Sequence, residues 1–118
     1  MIKTGLVSIT FRSLSPAEIV DLVVKAQLSA IEWGGDIHVP HGDLDKAKQV
    51  RRLTVSNGLE IACYGSYFKL AQKDREPDFG TVLDTAVELQ APAVRAWAGD
   101  RASSLADSAY WEKLIEEA

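Results

Sequence analysis

Ala30-Ile31-Glu32-Trp33, the polar run Gly34 to Gly42, and a helix opened by Asp43 and closed by Asn57-Gly58 decide how this chain folds. The first four residues are short and β-prone. Asp43 has the side chain of a helix N-cap, and Leu44, Ala47, Val50 and Thr54 recur at helical spacing. Asn57-Gly58 is a helix stop, because a left-handed residue there closes the last carbonyls. The segment is thus one strand, one loop and one helix. The following strand, Leu59 to Gly65, must run in the same direction, since a crossover helix returns the chain to the end of the sheet where it started.

The same unit recurs on both sides. Upstream, Gly5 to Phe11 is β-rich. Ser15-Pro16-Ala17-Glu18 then opens a helix with an N-cap, a proline in the first turn and a glutamate placed to close a capping box. Ile19, Leu22, Val23 and Ala26 give that helix an apolar face. Downstream, a long loop from Ser66 to Asp78 precedes a helix with Phe79, Val82, Leu83, Ala86 and Val87 inward, and Ala93 to Trp97 forms a fourth strand. Asp107 or Ser108 caps a last helix striped by Tyr110, Trp111, Leu114, Ile115 and Ala118.

Strands begin near positions 5, 30, 59 and 93, a spacing of about 30 residues, the size of one β-plus-α unit. An open doubly wound sheet and a closed barrel both accept this pattern. The last helix carries Glu116-Glu117 where a natural end favours glycine and positive charge, which predicts that residues 1–118 stop within helix four.

At 118 residues the chain holds one domain or part of one. A net charge of −4 gives no footprint for nucleic acid, and Arg51-Arg52 is the densest basic cluster. The single cysteine, Cys63, excludes an internal disulfide and is expected in the core. The N-terminus has neither a signal-like apolar stretch nor a membrane span, so a cytoplasmic setting is expected. There is no glycine-rich phosphate loop, no Cys-x-x-Cys and no nucleophile–histidine–acid set.

Four stretches stand in order along the chain: Gly5-Leu6-Val7-Ser8 through Phe11-Arg12, Ile31 through Pro40, Ala62-Cys63-Tyr64-Gly65-Ser66-Tyr67, and Val94-Arg95-Ala96-Trp97-Ala98-Gly99. Together they resemble the xylose isomerase-like TIM barrels, a family of sugar phosphate isomerases and epimerases. The resemblance covers essentially the whole chain. It implies an α/β fold, the N-terminal half of a (β/α)8 TIM barrel with its first four β-strands and about three and a half helices. Gln27 and Gln90 depart from the pattern, standing where such proteins carry a glycine after a helix, so both are predicted at positive φ at a cost of up to ~1 kcal/mol each.

The resemblance further implies a divalent metal (Mn, Mg, Co or Zn) that polarises a sugar's oxygens, with paired carboxylates moving a proton. Its ligands come mostly from later strands, so this chain is expected to bind no metal and to be inactive alone. The implied partners are a sugar or sugar phosphate, and either a C-terminal half-barrel or further copies of the chain. Nucleic acid and membrane are not implied.

Ligands of such barrels sit at the C-terminal ends of the strands. The candidates there are Thr10, Phe11 and Arg12; Trp33 with His38 and His41; Tyr64, Ser66 and Tyr67; and Trp97 with Gly99. Aromatic faces can stack on a sugar ring while hydroxyl and imidazole groups orient it; rim packing is the competing explanation for each. Glu32 and Arg95 are charged residues inside strands two and four, which fill the same layer of a barrel. They are predicted to face inward and meet, either as a structural ion pair or with Arg95 binding substrate and Glu32 as a catalytic proton-transfer group. His38-x-x-His41 has a metal-like spacing, but Val39-Pro40 breaks the helix that would put both rings on one face. The competing functions are an abasic-site endonuclease of the same superfamily, a non-catalytic self-associating half-barrel, and an open-sheet binding module of flavodoxin type.

Overall fold

A computed structural model describes residues 2–72 and 76–118. Four strands, β1 (Gly5–Val7), β2 (Ala30–Gly34), β3 (Glu60–Lys69) and β4 (Val94–Trp97), form one sheet in the order β1-β2-β3-β4. Every neighbouring pair is parallel. Four helices alternate with them: α1 (Pro16–Lys25), α2 (Leu44–Ser56), α3 (Phe79–Leu89) and α4 (Ser108–Glu117). A doubly wound sheet would break the sequential order at its switch point; this sheet does not.

The helix starts are built as the local sequence dictates. Ser15 accepts the Glu18 backbone N–H while the Glu18 carboxylate takes the Ser15 N–H, a complete capping box. At α2, α3 and α4 the side chains of Asp43, Asp78 and Asp107 accept the backbone N–H of Lys46, Thr81 and Tyr110, without the reciprocal bond. Gln27 and Gln90 have φ of 56° and 58°, so both take the left-handed turn predicted for them.

One apolar core joins α1, α2 and α3 to a single face of the sheet. Ile19, Val20 and Val23 of α1, Ala47 and Val50 of α2, and Val82, Ala86 and Leu89 of α3 pack with Ile31 and Trp33 of β2 and Tyr64 and Phe68 of β3. The opposite face carries Val7, Glu32, Arg95 and Trp97, and no helix among the described residues packs on it. The helix α4 packs apart from this core, through Tyr110 and Leu114 against Ala71. The radius of gyration is 15.6 Å, against about 13–14 Å for a compact domain of this length. That excess fits a sheet covered on one side.

Several boundaries differ from the sequence expectation. The first strand ends at Val7, and Ser8–Phe11 is a 3-10 turn. There the Ser8 hydroxyl turns inward to accept the Gly34 N–H, which takes the chain out of the ladder. The third strand runs on to Lys69 instead of ending at Gly65. Its register against β4 shifts between Gly65 and Lys69, and Tyr67 sits at φ 59° within the shift. Ser66 stabilises the irregularity by donating to the Arg95 carbonyl at 2.8 Å and accepting the Phe68 N–H. The predicted Ser66–Asp78 loop therefore begins later, and its positions 73–75 lie outside the described residues.

The helix faces are rotated from the predicted stripes. In α3, Thr85 and Leu89 are buried while Phe79, Leu83 and Val87 are exposed; in α1, Val20 replaces Leu22 inside. Leu44, Trp111 and Ile115 are also exposed. Cys63 is half-buried on the helix-free face, opposite Glu32, rather than in the core. Burial pushes its thiol up.

Candidate substrate face

The alternation of β2 assigns its side chains. Ile31 and Trp33 point to the helices, so Glu32 points to the open face. Arg95 of β4 points the same way, and its Nε donates to Glu32 Oε1 at 2.8 Å. The pair meets across the intervening strand β3, where Gly65 lies beneath it. A Cβ at Gly65 would stand 2.9 Å from both Arg95 Nη2 and Glu32 Oε1. Glycine at this position is what lets strands two and four touch, as predicted for a shared layer.

Around the pair lies an open depression of about 580 Å³ lined by Val7, Ile9, Thr10, Glu32, Tyr67, Arg95 and Trp97. The Arg95 guanidinium carbon is 5.8 Å from the Tyr67 ring centre and 5.5 Å from that of Trp97, so two aromatic faces flank the cation. The Glu32 hydrogen bond raises the Arg95 pKa further, fixing a permanent charge. At the rim Arg12 is paired with Asp36, a residue the sequence reading did not single out. Hydrogen bonds to Asp36 and then to Tyr67 raise Arg12 in turn. Thr10, Glu32, Tyr67, Arg95 and Trp97 are thus brought together from the turn after β1 and from β2, β3 and β4, with Arg12 and Asp36 beside Tyr67 at the rim.

The remaining candidates go elsewhere. Trp33 is fully buried among the helices, with Nε1 donating to Thr54 Oγ1 at 3.1 Å. Tyr64 is equally buried; its hydroxyl donates to the Val39 carbonyl at 2.8 Å, and burial pushes the phenol far above its ordinary range. Ser66 is spent on the backbone of β3 and β4. Phe11 is exposed and lies outside the lining, and the Gly99 backbone follows the turn beyond Trp97 near the Tyr110 ring. Trp33, Tyr64 and Ser66 therefore hold the fold and cannot stack on or bond to a ligand in the depression.

His38 is corrected likewise. Its Nδ1 is 3.0 Å from the Ser8 hydroxyl and its Nε2 is 3.1 Å from the Leu14 carbonyl. A carbonyl only accepts, so Nε2 carries the proton and Nδ1 accepts from Ser8. Both nitrogens are committed, and the ring staples β1's turn to β2's loop. His41 instead lies 2.8 Å from the Tyr64 hydroxyl, so the two imidazoles serve different partners. Among the described residues no three His, Cys, Asp or Glu side chains are gathered. With His38 saturated, His41 on Tyr64 and Glu32 on Arg95, the donor set of these strands does not fit a divalent ion.

Burial lowers the pKa of both histidines. A depressed folded pKa means that the unfolded chain takes up the proton first. Stability is then complete above the unfolded value of about 6.5 and falls as pH drops below it. Urea midpoints should fall between pH 7 and pH 5, and His38→Gln, which cannot ionise, should flatten that slope. An unchanged slope in His38→Gln would disprove the assignment of His38 as a neutral staple.

No family model matches the chain, and no curated protein matches it. Among solved structures it is similar to the probable 3-DHS dehydratase AsbF from Bacillus anthracis, with a TM-score of 0.71 at 19% identity over 98% of this chain and 45% of that one. A D-psicose 3-epimerase determined in the presence of D-fructose gives a TM-score of 0.69 at 15% identity, covering 98% and 46%. The fold is that of half a TIM barrel. A fusion of a xylose isomerase-like TIM barrel with a 4-hydroxyphenylpyruvate dioxygenase gives 0.68 at 14% identity, covering 99% and 19%. The half-barrel spans less than half the length of each of these chains. In TIM-barrel terms the helix-free face is the barrel interior, and the rim that gathers Arg12, Tyr67 and Trp97 is the C-terminal end, where such enzymes place their ligands. No helix among the described residues is long and apolar enough to cross a membrane.

Proposed function

We propose that this chain provides the first half of the substrate cavity of a sugar isomerase or epimerase of the xylose isomerase-like kind, acting on a sugar or sugar phosphate. The observation that carries the proposal is the Glu32–Arg95 pair on the barrel-interior face, with the Tyr67 and Trp97 rings beside the guanidinium. Planar polar groups beside aromatic faces are what a polyhydroxylated ring needs: hydroxyls bond to the first and C–H faces stack on the second. The epimerase among the similar structures handles a ketose, which supports the same substrate class. Its fit to the present strands is one of substrate holding; the metal chemistry belongs to residues beyond β4. The cavity is completed by four further strands, from additional polypeptide or from a second copy, which pair with the open edges of β1 and β4.

The abasic-site endonuclease alternative has less support. Among the described residues, Arg12 and Arg95 are each paired with their own carboxylate, which leaves neither free to track a phosphate backbone.

The test is a titration of ketoses and aldoses read by saturation-transfer NMR. Trp97→Ala should weaken binding about tenfold, the value of one aromatic stacking contact of roughly 1–1.5 kcal/mol. Absence of binding across the panel, or binding indifferent to Trp97→Ala, would end this proposal.

A further inference from the structure

We infer that the part of the substrate held by the Glu32–Arg95 pair is an uncharged vicinal diol, and that Glu32 is the residue that excludes a phosphate or carboxylate from this position. The inference rests on the sugar proposal above and narrows its substrate class.

Charge is the first argument. The residues lining the depression carry one cation, Arg95, and one anion, Glu32, 2.8 Å apart. Among the described residues, Arg12 at the rim is itself tied to Asp36. A dianionic phosphate at this pair gains no net attraction from these lining residues and meets the Glu32 carboxylate at close range. Desolvating such a group without a surplus cation is unfavourable. An uncharged hydroxyl pair faces no such cost.

Geometry is the second. Only Nε of Arg95 and Oε1 of Glu32 are engaged with each other. Among the described residues, Nη1, Nη2 and Oε2 make no further hydrogen bond. The pair therefore offers donors and an acceptor side by side, and it is partly open, with side-chain exposures of 34% for Arg95 and 18% for Glu32. Two adjacent hydroxyls match this array: one oxygen accepts from the guanidinium while its neighbour's O–H donates to the carboxylate. The Tyr67 and Trp97 rings lie 5.8 Å and 5.5 Å from the guanidinium carbon, and with the Glu32 hydrogen bond they restrict its position. Gly65 keeps the floor free of a side chain.

The pair thus acts as a specificity filter in which Glu32 has two roles. It accepts from one hydroxyl, and it cancels the charge that would otherwise make Arg95 an anion site. Glu32→Gln keeps the size and an amide acceptor but releases the Arg95 charge.

The experiment uses the full chain and the tightest-binding sugar from the titration above, with inorganic phosphate as competitor and chloride at matched ionic strength as control. Phosphate is expected to leave the sugar bound to the wild-type protein beyond the chloride effect. It should compete about tenfold or more better against Glu32→Gln, one released charge-assisted contact. Competition constants do not depend on the fraction of folded protein, so a loss of stability in the variant does not mimic the result. Phosphate displacing the sugar from the wild type, or competing equally against both proteins, overturns the filter while leaving the sugar proposal standing. Absence of any sugar binding by the wild type removes the sugar proposal itself, and the filter with it.

Discussion

Trp33→Ala should destabilise the chain by about 3–5 kcal/mol, the range for removing a large buried aromatic. Trp33 is fully buried, touches the core shared by three helices, and donates through Nε1 to Thr54 of α2. Its loss opens a cavity in the one layer that ties the sheet to its helices. Against typical net stabilities of about 5–15 kcal/mol, most of the folded population is at stake. Urea unfolding followed by far-UV circular dichroism measures the change. The companion substitution Trp97→Ala, on the open face and 45% exposed, should cost less than about 1 kcal/mol. Equal costs at the two tryptophans would contradict the assignment of one to the core and the other to the ligand side.

The second large effect is expected at Gly35. A Cβ there would lie 2.4 Å from His41 Cε1 and 2.7 Å from the Tyr64 hydroxyl. Tyr64 is buried and bonded to Val39, so it has nowhere to retreat. Gly35→Ala should cost about 3 kcal/mol, from overpacking together with disruption of the Tyr64 hydrogen bonds. His41→Ala removes the nearest obstructing atom, so the double variant should be less destabilised than the sum of the two single ones. Strict additivity in urea unfolding would show that the backbone gives way instead of the rings, and that Gly35 is not held by this contact.

These two sites show where sequence reasoning stopped. A loop from Gly34 onward was legible, and it begins one residue later because Gly34 ends β2, but the need for glycine at Gly35 comes from His41 and Tyr64 arriving from other parts of the chain. Trp33 and Tyr64 were expected at the ligand rim because they stand at strand ends. In β2 the alternation could have corrected this: Glu32 and its neighbour Trp33 cannot face the same side. In β3 it could not, because the register slips between Ile31 and Glu32 and leaves Ala62 unpaired before Cys63. A slip of one residue exchanges the two faces of a strand, and nothing local announces it.

The sequence by itself determined the β/α alternation, the capped helix starts, the left-handed turns at Gln27 and Gln90, and the inward meeting of Glu32 and Arg95. Each depends on interactions within a few residues or on the parallel repeat those interactions enforce. Only the tertiary structure decided which candidates reach the substrate face, because that choice depends on strand register and on distant partners. His38 was claimed by Ser8 and Leu14, Trp33 by Thr54, Tyr64 by Val39, and Ser66 by the backbone of β4. A polar group that folding buries must be satisfied where it lies. Once satisfied by the protein, it is no longer free to hold a ligand.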